Sequence, residues 1–212
     1  IRAKLEAEQG AESGLLVVAD QQTAGRGRRG RGWESPSGSN IYYTLMLKPD
    51  FNADCAPMLT LVMALAVAKG IRQTLGRGSE EGAAKVGIKW PNDIVVDGKK
   101  VCGILTEMSM EQAYIHHIVI GVGINVRRQE FPEEIRDRAA AIEEQCGFRI
   151  SRSQLIADIM EAFEEDYEIF LQTHDLKRLR DSYAKLLVNR DREVCVLDPK
   201  GEFRGTARGI ND

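Results

Sequence analysis

"GAAKVGIKWPNDIVVDGKKVCGILTEMSMEQAYIHHIVIGVGINV", residues 82–126, decides the fold. Four strand-like runs lie in it, and Asp97-Gly98 between "DIVV" and "KKVCGIL" is a strong two-residue hairpin signal. The favoured turn needs positive φ at both central residues, which Asp tolerates and Gly adopts freely. Adjacent hairpins imply an antiparallel or mixed sheet. Upstream, "SNIYYTLMLKP" reads as another strand, "LLVVAD" as a buried strand and "LEAEQGAESG" as a short helix closed by Gly10 and Gly14. From Met58 to Leu75, Leu59, Met63, Ala66 and Ile71 form a roughly helical apolar stripe that belongs in the core.

Downstream, Ser151 and Gln154 form a capping box that Ile150 and Leu155 could staple. Ile156, Ile159, Met160, Phe163, Tyr167 and Phe170 then repeat at helical spacing, which predicts a long amphipathic helix covering the sheet. After "YAKLLVNRDR" the chain turns to short strands, "EVCVLD", a Pro199-Lys200-Gly201 turn and "EFRGTARGI", the start of a small β domain. The expected class is α+β: a mixed, largely antiparallel sheet flanked by helices over residues 1–188, then the beginning of a second domain over 189–212. Since the chain starts at Ile1 and stops at "GIND" within a strand-and-turn pattern, both ends are expected to be incomplete.

Composition narrows the function. Of 212 residues 43% are apolar, and 29 basic against 32 acidic side chains leave a net charge of −3, so the chain lacks the overall basic excess of a nucleic-acid coat. The longest apolar run, Ala56 to Ala68, is shorter than the roughly 20 residues a bilayer span takes, and no membrane segment is expected. Cys55, Cys102, Cys146 and Cys195 are far apart and, with His116, His117 and His174, show no metal-ligand spacing. They read as reduced thiols of a cytoplasmic protein.

Against that acidic background, "QQTAGRGRRGRGW" concentrates four arginines among glycines. Gly25, Gly27 and Gly30 formally satisfy G-x-G-x-x-G after a strand, but that fingerprint must open a helix whose N-terminus holds a pyrophosphate. Here it runs into "RGWESPSGSN", which cannot be a regular helix. Anion affinity must therefore come from the guanidinium groups of Arg26, Arg28, Arg29 and Arg31. A solvated turn or an RNA-binding arginine-glycine tract is the plainer reading, but such tracts repeat and bring several stacking aromatics, whereas this loop is single and carries only Trp33. The second charged constellation is "KWPND", followed by the hairpin that delivers Lys99 and Lys100. Taken alone, Lys100 would read as a solvated strand-edge lysine and Trp90 as core.

In order and spacing, "QTAGRGRRGRGW", "SGSNIYYT", "KWPNDIVVDGKKVCGIL" and "IGVGINV" resemble the catalytic domain of biotin–protein ligases over nearly the whole chain. The resemblance implies a fold like that of biotin ligases and class II aminoacyl-tRNA synthetases, with an SH3-like small β domain. It implies a ligase that activates biotin with ATP and Mg2+ to biotinyl-5′-adenylate and transfers it to a lysine of a biotin carboxyl carrier protein domain. Carried over by position, Gln22, Gly25, Arg26, Gly27, Arg28 and Lys100 would face biotin, with Lys100 and Arg26 near its carboxylate. Tyr42, Gly103, Leu105, Gly121 and Gly123 would form the walls. Arg26, Arg28, Arg29, Arg31, Trp33, Lys89, Asn92 and Asn125 would surround the nucleotide, and Lys100, Arg26 and Arg28 would be catalytic. No resident metal ligand is implied.

Two departures follow the resemblance. "IRAKLEAEQ" begins just after the family's Ser-Thr-Asn stretch, and "AAAIEEQ" stands where many members have a Thr-Ser-Leu-like segment. The resemblance admits a homodimer, whereas DNA binding is not expected from this fragment. Two other readings stay open: a lipoate–protein ligase, and a non-enzymatic anion- or RNA-binding module.

Overall fold

The structure is a computed structural model that describes residues 1–78, 80–198 and 201–210. Its centre is a six-stranded sheet in the order β1-β2-β6-β5-β4-β3. The strands are β1 (Leu15–Ala19), β2 (Ile41–Leu47), β3 (Val86–Lys89), β4 (Asp93–Val96), β5 (Lys99–Glu111) and β6 (Tyr114–Ile124). Every ladder is antiparallel, and isolated bridges Ile88 to Leu187 and Lys100 to Ala139 add a parallel component. The β4–β5 turn forms as the sequence requires, with φ of 50° at Asp97 and 76° at Gly98. "LLVVAD" proves to be an edge strand rather than a buried one, with Val18 54% exposed.

Alternation along β2 and β6 gives the sheet two unlike faces. Ile41, Tyr43, Leu45 and Leu47, with Ile118, Ile120, Val122 and Ile124, point to the inner face and are buried. That face is covered by α2 (Met58–Gly76), which packs on β3, β4, β5 and β6 and is buried on most of its circumference, beyond the expected stripe. By length and composition Ala53–Gly76 would be able to cross a membrane, contrary to the shorter run read from the sequence, but here it is the core helix. On the outer face, α1 (Arg2–Glu8) sets Ala3 and Ala7 against Met46 and Val119. His117 is buried on this face, and desolvation, reinforced by nearby Lys4, pulls its pKa down.

Short helices α3 (Glu80–Ala84) and α4 (Ile142–Cys146) lead to α5 (Arg152–Thr173), which packs on α2 rather than on the sheet. Only half of the expected capping box forms. The Ser151 hydroxyl accepts from the Gln154 backbone N–H, but the Gln154 amide donates onward to Asp158. Closeness of the two helices rests on Gly70, where a Cβ would lie 2.6 Å from Ile159 Cγ1. Arg77 grips the buried carboxylate of Asp158 through both terminal nitrogens, and Lys69 reaches Asp166 at 2.5 Å. Helix α6 (Arg180–Leu186) follows, then the separate two-stranded sheet of β7 (Glu193–Asp198) and β8 (Gly201–Thr206). The turn expected at Pro199-Lys200 lies outside the described residues.

Candidate active site

Register assembles the site on the outer face. One rung crosses the whole sheet: Ala19, Tyr42, Gly123, Gly103, Asp93 and Lys89, contributed by β1, β2, β6, β5, β4 and β3 in turn. Two residues along, the next rung of the same face carries Val17, Thr44, Gly121 and Leu105. The expected walls Tyr42, Gly103, Leu105, Gly121 and Gly123 are thus brought together from three strands. Glycine on facing strands leaves a floor on which a flat group can approach the backbone closely. Beyond these rungs α1 closes the face over Met46 and Val119.

The arginine loop covers this floor as a compact hairpin. Trp33 N–H donates to Gly25 O and Gly27 N–H to Arg31 O, Arg26 bridges Gly32, and a short turn at Arg28–Gly30 forms the tip. Arg29 (φ 59°) and Gly30 (φ 72°) are left-handed there, so the segment is not a helix start, as the sequence context required. Gly25 is needed for space, because a Cβ would collide with the Trp33 carbonyl. The Ser35 hydroxyl, 2.9 Å from Gln22 Oε1 and 3.1 Å from Trp33 O, ties the two arms together. Asp20, at the end of β1, holds the loop's exit by accepting from Ser37, Gly38 and Arg152, and these bonds lower its pKa.

Charges divide into two groups. Lys100 Nζ lies 2.7 Å from Asp93 Oδ1. That oxygen nevertheless has no hydrogen bond of acceptable alignment, so the contact is an ion pair by distance. Lys100 also sits 5.4 Å from the centroid of the Trp33 ring, a cation–π position. Arg26 is held elsewhere, with Nη2 2.6 Å from Glu107 Oε2. Glu107 lies four residues beyond Gly103 on β5, about 13 Å along the strand. Arg26 and Lys100 are thus each matched to a different acidic residue of the sheet. Arg28 and Arg31 are exposed, and their guanidinium groups form no ion pair among the described residues.

Trp33, which the resemblance sets beside the nucleotide, lies on the glycine floor. A Cβ at Gly123 would be 2.5 Å from its Nε1, and one at Gly103 would be 2.9 Å from its Cζ3. The indole N–H is buried without a partner. With the floor filled, a cavity of about 430 Å³ opens between the Ser37–Ser39 turn and Arg127, Arg128, Glu143 and Arg149, and another of about 600 Å³ is lined by Arg128, Glu143, Glu144, Phe148 and Arg149. Asn92 stitches its turn to β5, its amide donating to Ile104 O, and Lys89 is exposed. Asn125 lies close to Lys100 through the backbone: its N–H donates to Val101 O and its carbonyl accepts from Ile142, while Lys100 pairs with Arg138 and Ala140. The Trp90–Pro91 peptide is cis, and Trp90 is 54% exposed rather than core.

Sequence reasoning missed Asp93, Glu107 and Ser35. Asp93 and Glu107 share the strand parity of Gly103, which was the available signal, whereas Ser35 had none.

Fold and site together define a class: proteins in which a cationic hairpin covers one face of an antiparallel sheet. Residues 3–125 match the model of the biotin/lipoate A/B protein ligase family, and the chain belongs to that family. It is 41% identical over 211 residues to the bifunctional ligase/repressor BirA of Bacillus subtilis, covering 97% of this chain and 62% of that protein. It is 29% identical to a biotin–[acetyl-CoA-carboxylase] ligase of Paracoccus denitrificans, covering 96% of this chain and 83% of the relative. Among solved structures, the biotin protein ligase of Aquifex aeolicus in complex with biotin and ATP superposes with a TM-score of 0.82 at 29% identity, covering 99% of this chain and 83% of that one. The chain thus spans less than two thirds of the length of the Bacillus relative.

Proposed function

We propose that the protein activates biotin with ATP to biotinyl-5′-adenylate, releasing pyrophosphate, and transfers the biotinyl group to a specific lysine of a biotin carboxyl carrier protein domain. The observation that carries this reading is the single rung on which Gly103 and Gly123 form a floor covered by the Trp33 indole, with the Lys100–Asp93 pair beside it. The bicyclic head takes the place of the indole on the glycines, and Lys100 offers charge to the carboxylate as it becomes an acyl phosphate. Arg28 and Arg31 stand above, where guanidinium forks pair with phosphate oxygens and offset charge spreading onto the leaving pyrophosphate. The names of the Paracoccus and Aquifex relatives support biotin and ATP as the substrates.

Mg2+ would accompany ATP and help offset the charge of its phosphates. Four free cysteines, Cys55, Cys102, Cys146 and Cys195, support a reducing compartment, the cytoplasm.

Pyrophosphate–ATP exchange tests the reading. Exchange should require biotin and should not be supported by lipoate. Exchange with lipoate alone would reassign the acid while keeping the chemistry, and exchange with neither would remove the enzyme reading.

A further inference from the structure

We infer that Glu107 is a positioning residue: it anchors Arg26, and through it the base of the arginine hairpin, to the sheet, so that Arg28 and Arg31 are presented to the phosphates. The inference deepens the function proposed above and rests on it for its kinetic consequences. Its structural part does not.

Three observations carry it. First, the Glu107 carboxylate collects cations from two elements: Arg26 Nη2 at 2.6 Å from the loop, and Lys4 Nζ at 3.3 Å from α1. One carboxylate thereby couples the helix that closes the outer face to the loop that covers it. Second, Arg26 stands at the neck of the hairpin. Its backbone bridges Gly32, and the flanking pair Gly25–Trp33 closes the same neck. Holding Arg26 therefore holds both arms. Third, of the arginines in this loop, Arg26 pairs with a protein carboxylate, whereas Arg28 and Arg31 pair with none among the described residues. A guanidinium already matched to an acid is an anchor, and unmatched ones two and five residues on are available to a ligand.

Charge explains why an acid is needed at this point. Arg26, Arg28, Arg29 and Arg31 repel one another when folded into a short hairpin, and Lys4 adds another cation beside Arg26. Glu107 offsets that repulsion where the hairpin joins the sheet. It stands on the outer face at the edge of the α1 contact, since Val119, its partner in register, is covered by α1. The side chains of Glu107 and Arg26 are 28% and 50% exposed, so solvent screens the pair and the expected effects are moderate.

The test uses Glu107→Gln, which keeps shape and removes charge, with Arg26→Ala and the double variant. In ligand-free protein, cleavage of the hairpin by an arginine-specific protease should accelerate about three- to fivefold in Glu107→Gln, the range set by a half-exposed pair, with an unchanged melting curve. In exchange assays the KM for ATP should rise by a similar factor in Glu107→Gln while kcat at saturating biotin and ATP stays near wild type. Arg26→Ala should reproduce the faster cleavage, and the double variant should be cleaved no faster than either single one. Cleavage and KM unchanged in Glu107→Gln, or additive effects in the double variant, would overturn the inference. If wild-type protein shows no exchange at all, the functional reading fails, and the protease arm still decides whether Glu107 anchors the loop.

Discussion

Lys100 shows how one side chain can matter for chemistry and little for the fold. Its ammonium has company in Asp93 and the Trp33 ring, yet the side chain is 34% exposed. Its backbone pairing with Arg138 and Ala140 does not depend on the side chain at all. Lys100→Ala should therefore change stability by no more than about 0.5 kcal/mol, as for other partly exposed sites. Adenylate formation should fall by about 10²-fold or more, the usual scale for removing a group that meets developing charge. The assay is biotin-dependent exchange beside a melting curve, and a large drop in melting with near-normal exchange would make Lys100 structural. At this scale the sequence was informative about residue types and poor about partners. That Lys100 meets Asp93 and Arg26 meets Glu107 depends on strand register and on contacts 81 residues apart, which no local pattern encodes.

Elements were legible where turns and periodicity speak directly. Asp97-Gly98 fixed a hairpin, and the apolar stripe from Leu59 to Ile71 marked α2 as a core helix. The amphipathic stripe of α5 says that one face is buried but not against what, and the buried partner is α2 rather than the sheet. Gly70 is the residue that allows it. Ala there would gain about 1 kcal/mol of helix propensity. Its Cβ, however, would lie 2.6 Å from Ile159 Cγ1 and 3.1 Å from the Ile159 backbone, so the helices must move apart. Overpacking of this kind costs about 1–3 kcal/mol. The Arg77–Asp158 fork and the Lys69–Asp166 pair resist that movement, and burial already raises the Asp166 pKa against the pull of Lys69. Gly70→Ala should lower the denaturant midpoint at an unchanged slope, and an equal or higher midpoint would mean that the interface is looser than described.

Across the whole molecule, one sheet separates stability from function. Its inner face and α2 make the core, and its outer face, where Gly103 and Gly123 lie beneath the Trp33 indole, makes the site. The sequence motifs that led to the family lie on or above this outer face, which is why the family was legible before the packing was. The Trp33 position was not legible, because an aromatic at the end of a charged loop can turn to ligand, solvent or floor with the same local sequence. Gly123→Ala isolates the central claim. In the free protein the nearest atoms to the new methyl all belong to the Trp33 indole, the end of a loop side chain that can shift. The fold should therefore tolerate it, while a flat ligand loses its closest approach to the sheet. Biotin titration calorimetry on wild type and Gly123→Ala is the most direct measurement. The account predicts affinity at least about tenfold weaker, or about 1.4 kcal/mol, with the melting temperature preserved. Unchanged biotin affinity in Gly123→Ala would contradict it and place the ligand away from the glycine floor.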